Sequence, residues 1–408
     1  MKYIQRTLED KFKAVSEEYS CILLIGPRQV GKSTMLEHLM DGSSRAKVTL
    51  DDMEERKLAQ TDPALFLQMH PAPVLIDEVQ YAPELFSYIK ISVDNGAAPG
   101  SYWLTGSQAF KLMELAQESL AGRTAILHMA SLSQSELYGT GANIPFSVEL
   151  NSLQKRKEYL KPATTPEMYE RIWNGSLPGH RSGRYTDRNV FYSSYIQTYI
   201  DRDVTHEIPG VDKMLFADFI RAAACRCGQL LNIHDIAGDV GVSDDTAKRW
   251  MKTLEKSEVV FFLRPYSNNL LKRTIKTPKM YFFDTGLVSY LTRYSSPEIL
   301  MNGAIAGSIL ENYIVSEIIK TYHNDAQECL IHYYRDKDCK EVDMIIESDG
   351  ELHPIEIKKS ANPSSQITGA FSILDKSSVP RGTGAILCLK ESLCAVDRQN
   401  YIVPAWMI

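Results

Sequence analysis

The 408-residue chain has no apolar run long enough to cross a bilayer. Its longest, such as Cys21–Ile25 and Val259–Leu263, are the length of a core strand, far short of the ~20 residues a membrane helix needs. The N-terminus, MKYIQRTLEDKFK, is charged throughout and lacks the apolar segment of a secretory signal. Seven cysteines are scattered without a CxxC pair, so neither a disulfide framework nor a zinc site is indicated, and a reducing cytoplasm is the expected compartment. There is no internal repeat and no low-complexity tract. A formal charge of −6 gives no global field for nucleic acid, so any such contact must be a local patch. Hydrophobic content of 44% and charged content of 24% are ordinary for globular chains, and at about 150 residues per domain the length predicts two or three domains.

In the first 150 residues, short apolar runs at Cys21–Ile25, Lys47–Leu50, Val74–Ile76, Tyr102–Thr105 and Thr124–Met129 alternate with helical stretches. That is the pattern of a parallel sheet wound with helices. Residues 143–166 read as a polar connection with one short helix. Within this frame, Gly26, Pro27, Arg28, Gln29, Val30, Gly31, Lys32 and Ser33 match the Gly-x4-Gly-Lys-Ser/Thr phosphate loop residue for residue, and Thr34 follows as a further nucleotide-binding candidate. The glycines let the backbone wrap a phosphate at a helix N-terminus. Lys32 supplies charge to the β and γ oxygens, and Ser33 a hydroxyl for Mg²⁺.

Val74-Leu-Ile-Asp77-Glu78 ends a second buried strand. Asp77 is placed to hold Mg²⁺ through water and Glu78 to polarise the attacking water. An acid directly after the metal-binding Asp points to the class of ATPases with an additional strand between the two motifs. The next strand runs into Gly106-Ser107-Gln108, where Ser107, ahead of Thr105, is the candidate to sense the γ-phosphate. Arg123 could act as an arginine finger towards a neighbouring copy in a homo-oligomer; its plainer reading is a surface pair with Glu118 or Glu114.

Further on, a short helix His234–Val240, a turn at Gly241 and a second helix capped by Ser243 predict a helix–turn–helix, followed by an apolar strand and a basic, acid-free stretch. This reads as a winged helix–turn–helix. Lys248 and Arg249 would face a DNA groove, and Arg264, Lys272, Arg273 and Lys276 in the wing would face phosphates. Asp244 and Asp245 at the helix start work against phosphate, and the same fold also serves as a protein-interaction module. In the last 110 or so residues, Asp343 and Glu356 lie on adjoining strands of a hairpin, and Glu356 and Lys358 share one strand face. With Glu311 on the helix 305–322, they could hold a second Mg²⁺ or Mn²⁺ and form a nuclease centre. Spacing alone is weak evidence, since Glu-x-Lys also occurs at Glu9/Lys11 and Glu55/Lys57.

Long stretches together resemble bacterial and archaeal AAA-superfamily ATPases that carry a C-terminal domain of unknown function. They are GPRQVGKST, VLIDEVQ, YWLTGSQ, SLAGRTAIL, FYSSYIQTYIDRDV, YFFDTGLVSYL, GSILENYIVSEI, YYRDKDCKEVDMIIE and PIEIKKSA. The resemblance implies an α/β chain: a P-loop ATPase domain at 1–165, a helical linker at 166–208, a winged helix–turn–helix at 209–296 and a PD-(D/E)XK restriction-endonuclease-like domain at 297–408. The expected function is a Mg²⁺-dependent ATPase whose nucleotide state controls a DNA-contacting, nuclease-like C-terminal half. The alternative is an ATP-gated protein-interaction switch with an inert docking domain.

Overall fold

The computed structural model describes residues 3–107, 109–141, 143–266, 277–335 and 340–408. Its first sheet is built from β1 (Cys21–Ile25), β2 (Ala46–Thr49), β3 (Val74–Asp77), β4 (Tyr102–Thr105) and β5 (Thr124–His128), in the order β2-β3-β4-β1-β5, every pairing parallel. Helices cover both faces, which is why β1 reads CILLI with all five residues buried rather than alternating. Register pairs Leu23 with Leu104, Leu24 with Leu127 and Ile76 with Leu104. β4 therefore sits between β1 and β3, the strands that carry the phosphate loop and the acidic pair. Because the strands are parallel, Gly26, Glu78, Ser107 and His128 all emerge along one edge, where ligands bind in open α/β sheets.

The following segment is less of a linker than its polarity suggests. Phe146, Val148 and Leu153 are fully buried, and Phe146 N donates to Thr321 Oγ1 at 2.9 Å. Apolar residues spaced among the charges anchor it. A helix Thr165–Asn174 then opens with a capping box from Thr164 and Glu167. The helix Arg188–Tyr199, capped by Asp187, widens into a π turn over Ile200–Val204, a distortion that turns Asp203 inward.

Beyond it, helices Lys213–Ala224, Ile233–Val240 and Asp244–Lys256 pack on a small antiparallel sheet of β6 (Gln229–Leu230), β8 (Lys279–Phe282) and β7 (Val260–Leu263), with β8 central. Ser243 caps the third of these helices by accepting from Thr246 N at 3.2 Å. Trp250 on that helix meets Phe216 and Phe219 edge-on, at 5.2 and 5.4 Å between centroids. Asp284, just past β8, ties three segments by accepting from Tyr192 Oη, Ser176 N and Leu287 N at 2.7–2.8 Å. Gly286 allows this approach, since a Cβ there would meet Tyr192 Oη at 2.0 Å.

The C-terminal part is organised around the helix Ala306–His323, most of whose residues are buried. It carries a six-stranded sheet ordered β13-β14-β12-β11-β10-β9, formed by β9 (Ile331–Arg335), β10 (Glu341–Ser348), β11 (Glu351–Lys358), β12 (Gly384–Cys388), β13 (Cys394–Ala395) and β14 (Asn400–Pro404). β10 and β11 form a hairpin whose turn uses two left-handed residues, Asp349 (φ 52°) and Gly350 (φ 77°), the conformation that matches strand twist. One apolar core runs without a break from Leu8 and Met129 through Tyr169 and Ile220 to Ile314 and Ile408. The three parts consequently share packing, and the P-loop sheet is not an appendage. No helix among the described residues is long and apolar enough to cross a membrane.

Candidate active site

The phosphate loop owes its path to two glycines. A Cβ on Gly26 (φ 145°) would lie 2.1 Å from Met129 O, and Gly31 (φ 96°) sits in the left-handed region immediately before the helix Lys32–Met40. That helix starts with its free N–H groups aimed at the loop, a ready site for phosphate. Lys32 is buried, and its Nζ donates to Gly26 O at 2.7 Å and Pro27 O at 2.8 Å. Burial draws its pKa down to about 8, against the opposing pull of Glu78, Glu258 and Asp77. Ser33 Oγ donates to Asp77 Oδ2 at 2.8 Å. Burial also raises the Asp77 carboxyl, an effect the Ser33 bond partly offsets. A hydroxyl and a carboxylate held together beside a phosphate cradle are the donors Mg²⁺ takes with a nucleotide, so the residues fit that ion.

Glu78 is held in a left-handed conformation (φ 56°). Its carboxylate accepts from Ser107 N at 3.2 Å, Ser107 Oγ at 3.3 Å and Gln80 Nε2. Ser107 thus touches the acid expected to activate water, whereas Thr105 is wholly buried and its hydroxyl has no partner among the described residues. Arg123 pairs with Asp94 and donates to Ala121 O at 3.1 Å, rather than meeting Glu118 or Glu114. It precedes β5, so it lies at the opposite end of the sheet from its own phosphate loop, roughly 17 Å away at 3.3 Å per residue.

Two contacts and a cavity go beyond what the sequence indicates. Arg28, inside the phosphate loop, is ion-paired with Asp203 on the π turn. His128, at the end of β5, pairs with Glu258, which follows the helix Asp244–Lys256 and acts electrostatically on Lys32. Beside the loop opens a cavity of about 800 Å³ between Gly31 and Thr34, the N-terminal Tyr3, Tyr185, and Phe191 and Tyr195 of the helix Arg188–Tyr199. Its position next to the loop and its aromatic walls suit a nucleoside. The only signal in the sequence was the aromatic, acidic run FYSSYIQTYIDRDV, which nothing local connects to the loop.

The C-terminal candidates do converge. Lys358 Nζ lies 2.6 Å from Glu356 Oε2 and 3.1 Å from Asp343 Oδ2, and Glu311 adjoins them. Glu341 joins the group, and so does Lys279, which lies 2.6 Å from Glu341, 3.1 Å from Glu311 and 3.9 Å from Asp343. Lys279 belongs by sequence to the basic wing stretch, yet it faces inward, because β8 turns it towards these acids. Among the described residues, no three acid, histidine or cysteine side chains are arranged to hold a metal ion. Of the expected DNA contacts, Lys248, Arg249 and Arg264 are exposed; Lys248 lies 3.5 Å from Asp245 and Arg264 3.9 Å from Glu255. Lys272, Arg273 and Lys276 lie outside the described residues.

Three family models match separate stretches of the chain. Residues 18–138 match an AAA domain, 165–298 a domain of unknown function (DUF8612) and 306–408 another (DUF4143). Two uncharacterized mycobacterial proteins, Mb2031c of Mycobacterium bovis and Rv2008c of Mycobacterium tuberculosis, are each 27% identical over 348 residues, covering 84% of this chain and 71% of theirs. The N-terminal part has the P-loop NTPase fold. Solved structures with partial likeness include the Walker-type ATPase PABY2304 of Pyrococcus abyssi, at 15% identity and a TM-score of 0.45 over 71% of this chain and 96% of that one. The Thermotoga maritima RuvB Holliday junction branch migration motor reaches 16% and 0.30 over 62% and 88%.

Proposed function

We propose that this protein is a Mg²⁺-dependent ATP hydrolase whose phosphate loop is read directly by the middle of the chain. In this reading Lys32 neutralises the β and γ phosphates, and Ser33 and Asp77 hold the ion. Glu78 orients and polarises water, and Ser107 positions Glu78. Arg123 would serve a neighbour's site, since it is remote from its own.

The observation that carries the coupling is the Arg28–Asp203 pair, reinforced by Glu258 beside Lys32. Both carboxylates come from outside the P-loop sheet, and both sit where they compete with phosphate for the loop's cations. Nucleotide phosphates would take over Lys32 and Arg28, releasing Asp203 and bringing negative charge up against Glu258, and so biasing the π turn and the turn before β7 towards another arrangement. Hydrolysis and release would restore the Arg28–Asp203 pair.

Hydrogen exchange on the full chain, with and without a non-hydrolysable ATP analogue, tests this. Protection at 199–207 and 257–263 should change along with the phosphate loop. Protection changing only at the loop would mean that nucleotide state is not passed on.

DNA is the second reading for what the middle unit contacts, with helices Ile233–Val240 and Asp244–Lys256 as a helix–turn–helix. It is favoured by the outward face of the second helix, where Lys248, Arg249, Lys252 and Lys256 are exposed while Ala247, Trp250, Met251 and Leu254 are buried. Such a face suits backbone phosphates.

A further inference from the structure

The acids expected to form a nuclease centre meet two ammonium groups instead of open space. On one side, Lys358 Nζ bridges Asp343 and Glu356 at 3.1 and 2.6 Å, while Asp343 Oδ2 also accepts from Ile357 N at 2.8 Å. On the other side, Lys279 Nζ is enclosed by Glu311, Glu341 and Asp343, over the ring of Tyr333. Its side chain is only 5% exposed. Tyr281, two residues along the same strand face, donates to Glu311 Oε1 at 2.6 Å, and Arg335 lies 3.6 Å from Glu341. Three carboxylates therefore gather around one point without the arrangement a metal ion needs, and that point is taken by a lysine that cannot leave without uncovering buried like charges.

We infer that Lys279 is the resident cation of this carboxylate cluster, standing in for a divalent metal and fastening β8 of the middle unit to the helix Ala306–His323 and β10 of the C-terminal unit. The elements support this on geometry alone. Lys279 comes from one unit, and Glu311, Glu341 and Asp343 from the other. A small mobile metal binds whichever ligands are free, whereas a lysine carried on β8 makes the same charge balance conditional on docking. The C-terminal unit is then a docking body held by charge, and among the described residues a metal-dependent phosphodiester cleavage centre is not assembled.

Nucleotide-free full-length protein titrated with Mn²⁺, followed by electron paramagnetic resonance, tests the assignment, with Asp343→Asn and Glu356→Gln as comparisons. Wild type and both variants should bind Mn²⁺ alike, and wild type should not nick supercoiled plasmid with Mn²⁺. A wild-type Mn²⁺ site lost in Asp343→Asn or Glu356→Gln would overturn it, as would nicking that either variant abolishes. Lys279→Gln should melt at least about 5 °C lower than wild type, because it leaves the acids unneutralised, and Mn²⁺ should restore part of that loss. Melting identical to wild type would also overturn the inference. If Lys279→Gln yields no folded protein, the wild-type comparison decides by itself.

Discussion

Arg28 lies within the phosphate loop and Asp203 lies 175 residues later on a π turn, yet the two form a largely buried ion pair. Asp203 thus occupies part of the electrostatic space that nucleotide phosphates would claim. Replacing it by asparagine frees the guanidinium without changing the side chain's shape. Asp203→Asn is expected to bind ATP roughly five-fold tighter or more, the range typical of coupled sites, and to lose the nucleotide-dependent protection change at 199–207. Titration with a fluorescent ATP analogue reads the affinity. Weaker or unchanged binding would make the pair a scaffold for the loop rather than a competitor of phosphate.

Lys32 and Glu78 divide binding from chemistry. Lys32→Ala removes the loop's buried cation and should abolish turnover while weakening nucleotide binding. Glu78→Gln keeps the fold of the strand end and the contacts from Ser107, so it should retain ATP and lower turnover by about 100-fold or more. Phosphate release under single-turnover conditions separates the two variants. Wild-type turnover in Glu78→Gln would remove Glu78 from the assignment. Ser107→Ala should fall between these, lowering kcat with little change in KM, since Ser107 acts through Glu78.

What could be read in advance was local. The phosphate loop, the acidic pair and the extra strand are encoded within short windows, because a loop that wraps phosphate needs fixed glycines and a strand end needs its acid in sequence. The hairpin carrying Asp343 and Glu356 was legible for the same reason. Asp203, Glu258 and Lys279 were not, since each acts across a distance that only packing sets. Lys279 was misleading in composition, being one of five cations in an acid-free stretch. Its alternation with Tyr281 on one face of an apolar strand was the available sign that it points inward, where both meet Glu311. The connection at 143–166 was likewise judged by its charges, while its placement is decided by Phe146, Val148 and Leu153.

The depressed Lys32 amine makes nucleotide affinity pH-dependent. In the folded protein without nucleotide its pKa is about 8, and phosphate contact would raise it. Above pH 8 the free protein carries a neutral lysine and binding must take up a proton. ATP affinity should therefore be flat below pH 8 and fall as pH rises above it, approaching ten-fold per unit. The same shift acts on stability with a defined sign. The unfolded chain binds the proton more tightly than the folded one between about 8 and the ordinary lysine value, so the cost of burying this charge is present in full below pH 8 and relaxes as pH rises through that window. Calorimetry at pH 8.5 in two buffers of different ionisation heat measures the proton uptake. Zero uptake would show that Lys32 remains charged in the empty loop.

The outward face of the helix Asp244–Lys256 gives the DNA reading its own test. Lys248, Arg249 and Lys252 are exposed, and none belongs to the buried face formed by Ala247, Trp250, Met251 and Leu254. Changing all three to glutamine should therefore leave thermal stability near wild type. If these side chains touch a duplex backbone, each lost contact should lower the slope of log affinity against log salt by about 0.9, so the triple variant should lose up to about three units of slope. Asp245, 3.5 Å from Lys248, makes a sharper control. Asp245→Asn removes a like charge from the incoming phosphates and releases Lys248, so duplex affinity should rise, most clearly at low salt. A triple variant with unchanged slope, together with an Asp245→Asn variant of unchanged affinity, would assign this face to a protein partner instead.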